Sequence, residues 1–306
     1  MKKRVDDFEE IIALLSKRTN VRDLPSGYKY YLDKRRKNLT LTLSEKGLKA
    51  NMQDNESAFE SWAIALRYYL KDIINTITID WPEFSNENNV HFNRFVYRLS
   101  KFVQTYDWVS LANPIPLIPS TLVCNIPHKE AASAEEHQEG SEGWIENKYF
   151  ERYCKDYDVM NHQLPVGIFF DKVSRPTLYT PGNKSAVDLW AIKDNELFIF
   201  ELKKPGNNVL GIVSELMFYT NILHDIMSHR IQYQPNRQQE KAIKMNLRGV
   251  GDLYNSYKTG NIQKIHSVLL ADTLHSLITP ELLIFINESA RLRFCKIDYS
   301  SQKVGI

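Results

Sequence analysis

The run Ser185-Ala-Val-Asp-Leu-Trp-Ala-Ile-Lys-Asp-Asn-Glu-Leu-Phe-Ile-Phe-Glu-Leu-Lys-Lys-Pro205 leaves this chain few ways to fold. Two apolar stretches flank Lys193-Asp194-Asn195, and Asp-Asn supplies turn residues, so the run reads as a β-hairpin. Asp188 lies near the start of the first strand; Glu201 and Lys203 lie near the end of the second. Antiparallel pairing brings those two ends side by side. Glu201 and Lys203 are two apart, so their side chains share one face. Two carboxylates held together repel unless a cation or a proton lies between them. A hard divalent ion such as Mg²⁺ (or Mn²⁺) takes oxygen ligands and keeps several waters. Asp188, Glu201 and the backbone carbonyl of Leu202 would make half of such a shell. A lysine beside the ion can lower the barrier to water attack or steady charge building on a phosphate.

The rest of the chain divides around a polar stretch. Phe8, Ile11, Ile12 and Leu15 recur at helical spacing, with the segment running from Val5 to Leu15. Tyr28 to Leu43 reads as strands broken by a charged tip at Lys34-Arg35-Arg36-Lys37. Helices are expected over Ser57 to Ile74 and Val90 to Val103, separated by the breaker Trp81-Pro82. Residues 1–125 therefore read as a mostly helical N-terminal domain with a small β element. The following Ala-Ala-Ser-Ala-Glu-Glu-His-Gln-Glu-Gly-Ser-Glu-Gly carries almost no large apolar side chain and cannot offset the entropy of ordering. It is taken as a linker over 126–142. From 143 to 306 strands and helices interleave: a helix over Trp144 to Tyr157, short apolar runs, a helix from Gly211 to Met227, a strand over Ile265 to Leu270, a helix over Pro280 to Ser289 and a strand over Leu292 to Tyr299. That alternation is an α/β signature with a mixed sheet.

The acid on one strand, followed by Glu201-Leu202-Lys203 and Lys204-Pro205 on the next, resembles the PD-(D/E)xK nuclease superfamily. Val187 stands where the family has its proline. The resemblance spans roughly Glu142 to Asp225. It implies a restriction-endonuclease-like mixed β-sheet flanked by helices, with Asp188 and Glu201 as metal ligands and Lys203 positioning or activating the attacking water. The superfamily commonly places a glutamate-bearing helix before the hairpin; here that is Glu142-Gly-Trp-Ile-Glu146, with Glu146 the chosen further metal ligand. It also follows the lysine with a helix carrying a Gln-Leu-x-x-Tyr pattern; here the segment is Glu215-Leu-Met-Phe-Tyr219, with glutamate in the glutamine position.

The expected activity is Mg²⁺- or Mn²⁺-dependent hydrolysis of phosphodiester bonds in DNA, by analogy in restriction or phage defence. The alternative is a nuclease-fold module that binds nucleic acid or a protein without cutting. A formal net charge of +2 is too small to argue for DNA, so any basic face must be local. Lys204 points opposite to Lys203, from where it could reach phosphate. Arg230, Arg237, Lys241 and Lys244, interspersed with glutamines, suit phosphate and base contacts. His224 and His229 read as structural or exposed. A homodimer is one expectation, since restriction-type enzymes often dimerise to cut both strands. Three dispersed cysteines with no CxxC pair argue against a thiolate zinc site and suit a reducing compartment. No apolar run is long enough to span a bilayer, so a cytoplasmic protein without a membrane partner is expected.

Overall fold

The computed structural model describes residues 6–83, 89–127, 137–181, 185–291 and 295–305. Its elements begin with α1 (Phe8–Ser16), β1 (Tyr28–Asp33), β2 (Asn38–Leu43), α2 (Glu45–Lys49), α3 (Phe59–Tyr69), β3 (Thr76–Asp80), α4 (Val90–Thr105) and β4 (Val109–Leu111). They continue with β5 (Leu122–Cys124), α5 (Glu142–Tyr153), β6 (Val159–Pro165), β7 (Ile168–Phe170), β8 (Ala186–Lys193), β9 (Glu196–Leu202) and α6 (Ile212–Met227). The last are β10 (Ile231–Tyr233), α7 (Arg237–Lys244), α8 (Val250–Thr259), β11 (Lys264–Leu270), α9 (Pro280–Glu288) and β12 (Lys296–Gln302). The expected helix start at Val5, the strand start at Leu292 and residues 128–136 of the expected linker lie outside the described residues.

The chain forms two compact units, neither continuous in sequence. The first comprises residues 6–118, 208–215 and 274–291. Its sheet has four strands in the order β1-β2-β3-β4. The β1–β2 hairpin pairs Tyr28 with Leu43 and Asp33 with Asn38, so Lys34 to Lys37 form its tip. β3 and β4 add in parallel. The expectation of a mostly helical region underrated this sheet. Thr76-Ile-Thr-Ile-Asp80 alternates half-buried and buried residues as a one-sided strand does, while β4 is too short to show a period. Helix α3 is buried on all sides from Phe59 to Leu66. Inside, the Arg98 guanidinium donates to Glu60 Oε1 at 2.9 Å and to the Ser57 carbonyl at 2.7 Å, and lies over the Phe59 ring. The segment 208–215 joins this unit through Ser214, whose hydroxyl sits 2.7 Å from that of Ser61. A β-carbon at Gly211 would fall 2.0 Å from the Gln53 carbonyl oxygen, so only glycine permits that approach.

The second unit comprises residues 119–207, 216–273 and 295–305. Its main sheet has five strands in the order β12-β11-β9-β8-β6. β6, β8 and β9 are antiparallel; β11 and β12 continue in parallel. A smaller sheet runs β10-β5-β7. The α/β class with mixed sheets flanked by helices thus holds. Along the main sheet Leu189, Ala191, Phe200, Leu202, Val268 and Leu270 pack with Ile145 and Tyr149 of α5 in one apolar core. No helix among the described residues is long and apolar enough to cross a membrane.

The β8–β9 turn closes at Lys193↔Glu196 with φ of +52° at Asp194 and +60° at Asn195. Positive φ at both central residues is the two-residue turn whose twist matches the strands. Alanine tolerates that region poorly, so Asp194→Ala and Asn195→Ala are each expected to lose about 1 kcal/mol in urea denaturation, with Asp194→Gly close to native. Alanine variants as stable as the native chain would contradict this assignment of the turn.

Candidate active site at the end of the β8–β9 hairpin

The β8–β9 ladder runs from the turn to Leu189↔Phe200. One step further the same register sets Asp188 across from Glu201. There the pairing gives way to a side chain: Asp188 Oδ2 accepts the Leu202 N–H at 2.8 Å. Since Leu189, Ala191, Phe200 and Leu202 face α5, strand alternation turns Asp188, Glu201 and Lys203 to the opposite face. Ser267 of β11, level with Ile199, shares that face and bonds to Thr220 of α6 at 2.7 Å. By register and alternation the two carboxylates therefore lie on one face of the sheet.

What neutralises Glu201 is within the chain. Lys203 Nζ donates to Glu201 Oε1 at 2.6 Å, with Lys203 only 5% exposed and Glu201 only 2%. Removing both charges from water is costly, and their contact offsets that cost only while both are present. The Lys203 amide continues the sheet by donating to the Leu270 carbonyl at 3.0 Å. Asp188 is half-buried although Val187 and Leu189 beside it are fully buried. Two carboxylates and a nearby carbonyl are hard oxygen donors, which fit Mg²⁺ or Mn²⁺ with water completing the shell. Among the described residues no group of three or more His, Cys, Asp or Glu side chains stands ready as a ligand set.

The N-terminus of α5 meets this end of the hairpin. Ser141 caps the helix by accepting from the Trp144 amide, and Glu142 Oε1 accepts from the Lys204 amide at 3.4 Å. Glu146, one turn on, is 7% exposed and has both oxygens engaged: His162 Nδ1 lies 3.0 Å from Oε1, and Gln163 Nε2 donates to Oε2 at 2.8 Å. Neither partner was foreseeable from the residue pattern. Asn161-His162-Gln163 is a polar interruption in a strand, legible only as a break in alternation.

The other expected residues spread out. Lys204 is exposed. Glu215 and Tyr219 are both buried on α6, Glu215 in the segment that folds with the first unit and Tyr219 in the second unit. His224 is buried, 3.7 Å from Asp225, and Arg230 reaches the same Asp225 carboxylate at 3.5 Å. Arg237, Lys241 and Lys244 line an open depression on α7 together with Gln238 and Glu240. That helix is anchored by an Asn236–Gln239 capping box, by Gln239 reaching the Ile126 carbonyl at 3.4 Å and by buried Ala242. Its exposed face carries three cations against one acid.

No family model, no curated protein and no solved structure matches this chain.

Replacing Lys203 alone strands a buried carboxylate. Lys203→Met is expected to lose about 3–5 kcal/mol of stability, and Lys203→Met with Glu201→Gln to recover most of it. Urea denaturation of the two variants decides; equal losses would show that the ammonium does not neutralise Glu201.

Proposed function

We propose that this chain is a metal-dependent nuclease that hydrolyses phosphodiester bonds in DNA, with Asp188, Glu201 and Lys203 as its catalytic residues. The observation that carries the reading is the register: an acid on β8 stands across from an acid on β9, with a lysine two residues on sharing their face. A mixed sheet flanked by helices, a glutamate-bearing helix before the hairpin and a further helix after it agree with a restriction-endonuclease-like fold of the PD-(D/E)xK type.

In this reading Asp188, Glu201 and the Leu202 carbonyl hold Mg²⁺ or Mn²⁺. Such an ion, when bound, orients a water and polarises the scissile phosphate. The chain's own part is positional. Leu202 fixes the Asp188 carboxylate through its amide, and Glu201 fixes the Lys203 ammonium beside it. That ammonium is held at the end of β9 beside the carboxylates, where sharing it with a phosphate would stabilise charge developing there. The α7 face of Arg237, Lys241 and Lys244 supplies backbone contacts to the nucleic acid, with Lys204 and Arg230 as further cations. The first unit would recognise the target or a protein partner, and cutting both strands would call for a homodimer; restriction or phage defence is the biological setting by analogy.

A non-cutting module is the second reading. The closed Lys203–Glu201 contact favours it.

Supercoiled and linear DNA incubated with Mg²⁺ or Mn²⁺ separates the two. Nicking or linearisation by the native chain, lowered by at least about a hundredfold in Asp188→Asn, Glu201→Gln and Lys203→Ala, is the expected outcome. Binding without cutting under every condition would leave the second reading. For the α7 face, Arg237→Ala, Lys241→Ala and Lys244→Ala combined should lower the slope of log affinity against log salt by about 2–3, since each phosphate neutralised contributes about 0.9. An unchanged slope would remove α7 from the interface.

A further inference from the structure

Strand β6 carries a distortion whose position bears on Asp188. Its pairing with β8 runs Asn161↔Trp190 and His162↔Leu189, then resumes at Leu164↔Val187. The register is the same on both sides, so no residue is inserted. The position skipped is Gln163, across from Asp188. Gln163 has φ +49°, in the left-handed region that a glutamine seldom adopts within a strand.

Two sets of contacts hold it there. Adjacent residues of a regular strand point to opposite faces, yet His162 and Gln163 both reach the same Glu146 carboxylate, at 3.0 Å and 2.8 Å. Only a break in the alternation lets both do so, and the left-handed turn at Gln163 is that break. The Phe150 ring lies 4.3 Å from the His162 ring and fixes it further. From the other side Arg248 donates to the carbonyls of His162 and Gln163, the latter at 3.1 Å. The carbonyls at the kink are thereby satisfied where the ladder is interrupted.

The consequence falls on Asp188. Regular alternation would set the Gln163 side chain on the Asp188 face, as the third member of a row with Asp188 and Glu201. The kink swings it to the α5 side instead. Asp188 is half-buried on the face that the Gln163 side chain leaves. Backbone strain held in place by surrounding contacts recurs beside functional groups.

We infer that Glu146 is a positioning residue: by holding His162 and Gln163 together it keeps β6 kinked, and so keeps the β6 flank of Asp188 open as the side from which a substrate phosphate approaches. The approach of substrate rests on the nuclease reading; the kink at Gln163 does not.

The test reads access to position 188 by chemistry independent of cleavage. In a Cys154→Ser background, the thiol introduced by Asp188→Cys is titrated with an aromatic disulfide reagent. It should react readily. Adding Glu146→Ala should slow the reaction several-fold, as Gln163 returns to an extended conformation and covers the site. Adding Gln163→Gly to that variant should restore the rate, since glycine removes the covering side chain. Gln163→Val with Glu146 intact, a variant that leaves α5 untouched, should also slow it. Circular dichroism confirms that each variant is folded, and if Glu146→Ala fails to fold, the Gln163→Val and Gln163→Gly pair decides alone. A labelling rate indifferent to position 163 overturns the inference. Labelling as expected in a chain that neither cuts DNA nor binds Mn²⁺ would overturn the nuclease reading and leave the positioning role in place.

Discussion

The buried contact between Lys203 and Glu201 is the constraint around which the second unit is arranged. An ammonium and a carboxylate sit almost wholly out of water at the end of an apolar hairpin. Such a pair costs desolvation free energy that hydrophobic residues of similar size would not incur. A fold that tolerates it uses a rigidly paired hairpin to hold charge at one point. The β8–β9 register brings Asp188 to the same point, and the Leu202 amide fastens it there. Every other feature of the site follows from how the neighbouring elements treat that cluster.

The two faces of the sheet divide the work. Towards α5 the strands present Leu189, Ala191, Phe200 and Leu202, which bind the helix by burial. Towards the other face they present the charged row. Glu146 belongs to the α5 side and is held by His162 and Gln163, although the resemblance made it a candidate metal ligand. The α5 N-terminus adds a second tie, from Glu142 to the Lys204 amide.

Much of this was legible in the sequence. The Asp194-Asn195 turn, the two apolar strands and the sharing of a face by Glu201 and Lys203 follow from period and turn chemistry. Helices α3 and α4 show in the spacing of Trp62, Leu66 and Tyr69 and of Phe92, Phe95, Leu99 and Phe102. Less visible was the sheet of the first unit, because β4 is only three residues long and the alternation of β3 stands between two stronger helical patterns. Long-range partners were out of reach: nothing local says that Glu146 meets His162, or that residues 208–215 and 274–291 fold with the first unit. Nor does a sequence say that a glutamine will adopt φ +49°. The charge balance at Glu201 was half legible. Repulsion between two carboxylates calls for positive charge nearby, and the pattern placed Lys203 in the cluster without showing that it pairs directly with Glu201.

What decides the nuclease reading is whether this cluster also takes a divalent cation. Thermal unfolding of the native chain, Asp188→Asn and Glu201→Gln across a Mn²⁺ titration measures that directly, because an ion bound only to the folded state adds about 2.7 kcal/mol at a hundredfold excess over its dissociation constant. The predicted result is a midpoint that climbs with Mn²⁺ in the native chain and stays flat in both variants. A native midpoint indifferent to Mn²⁺, or one that climbs equally in all three proteins, would contradict it.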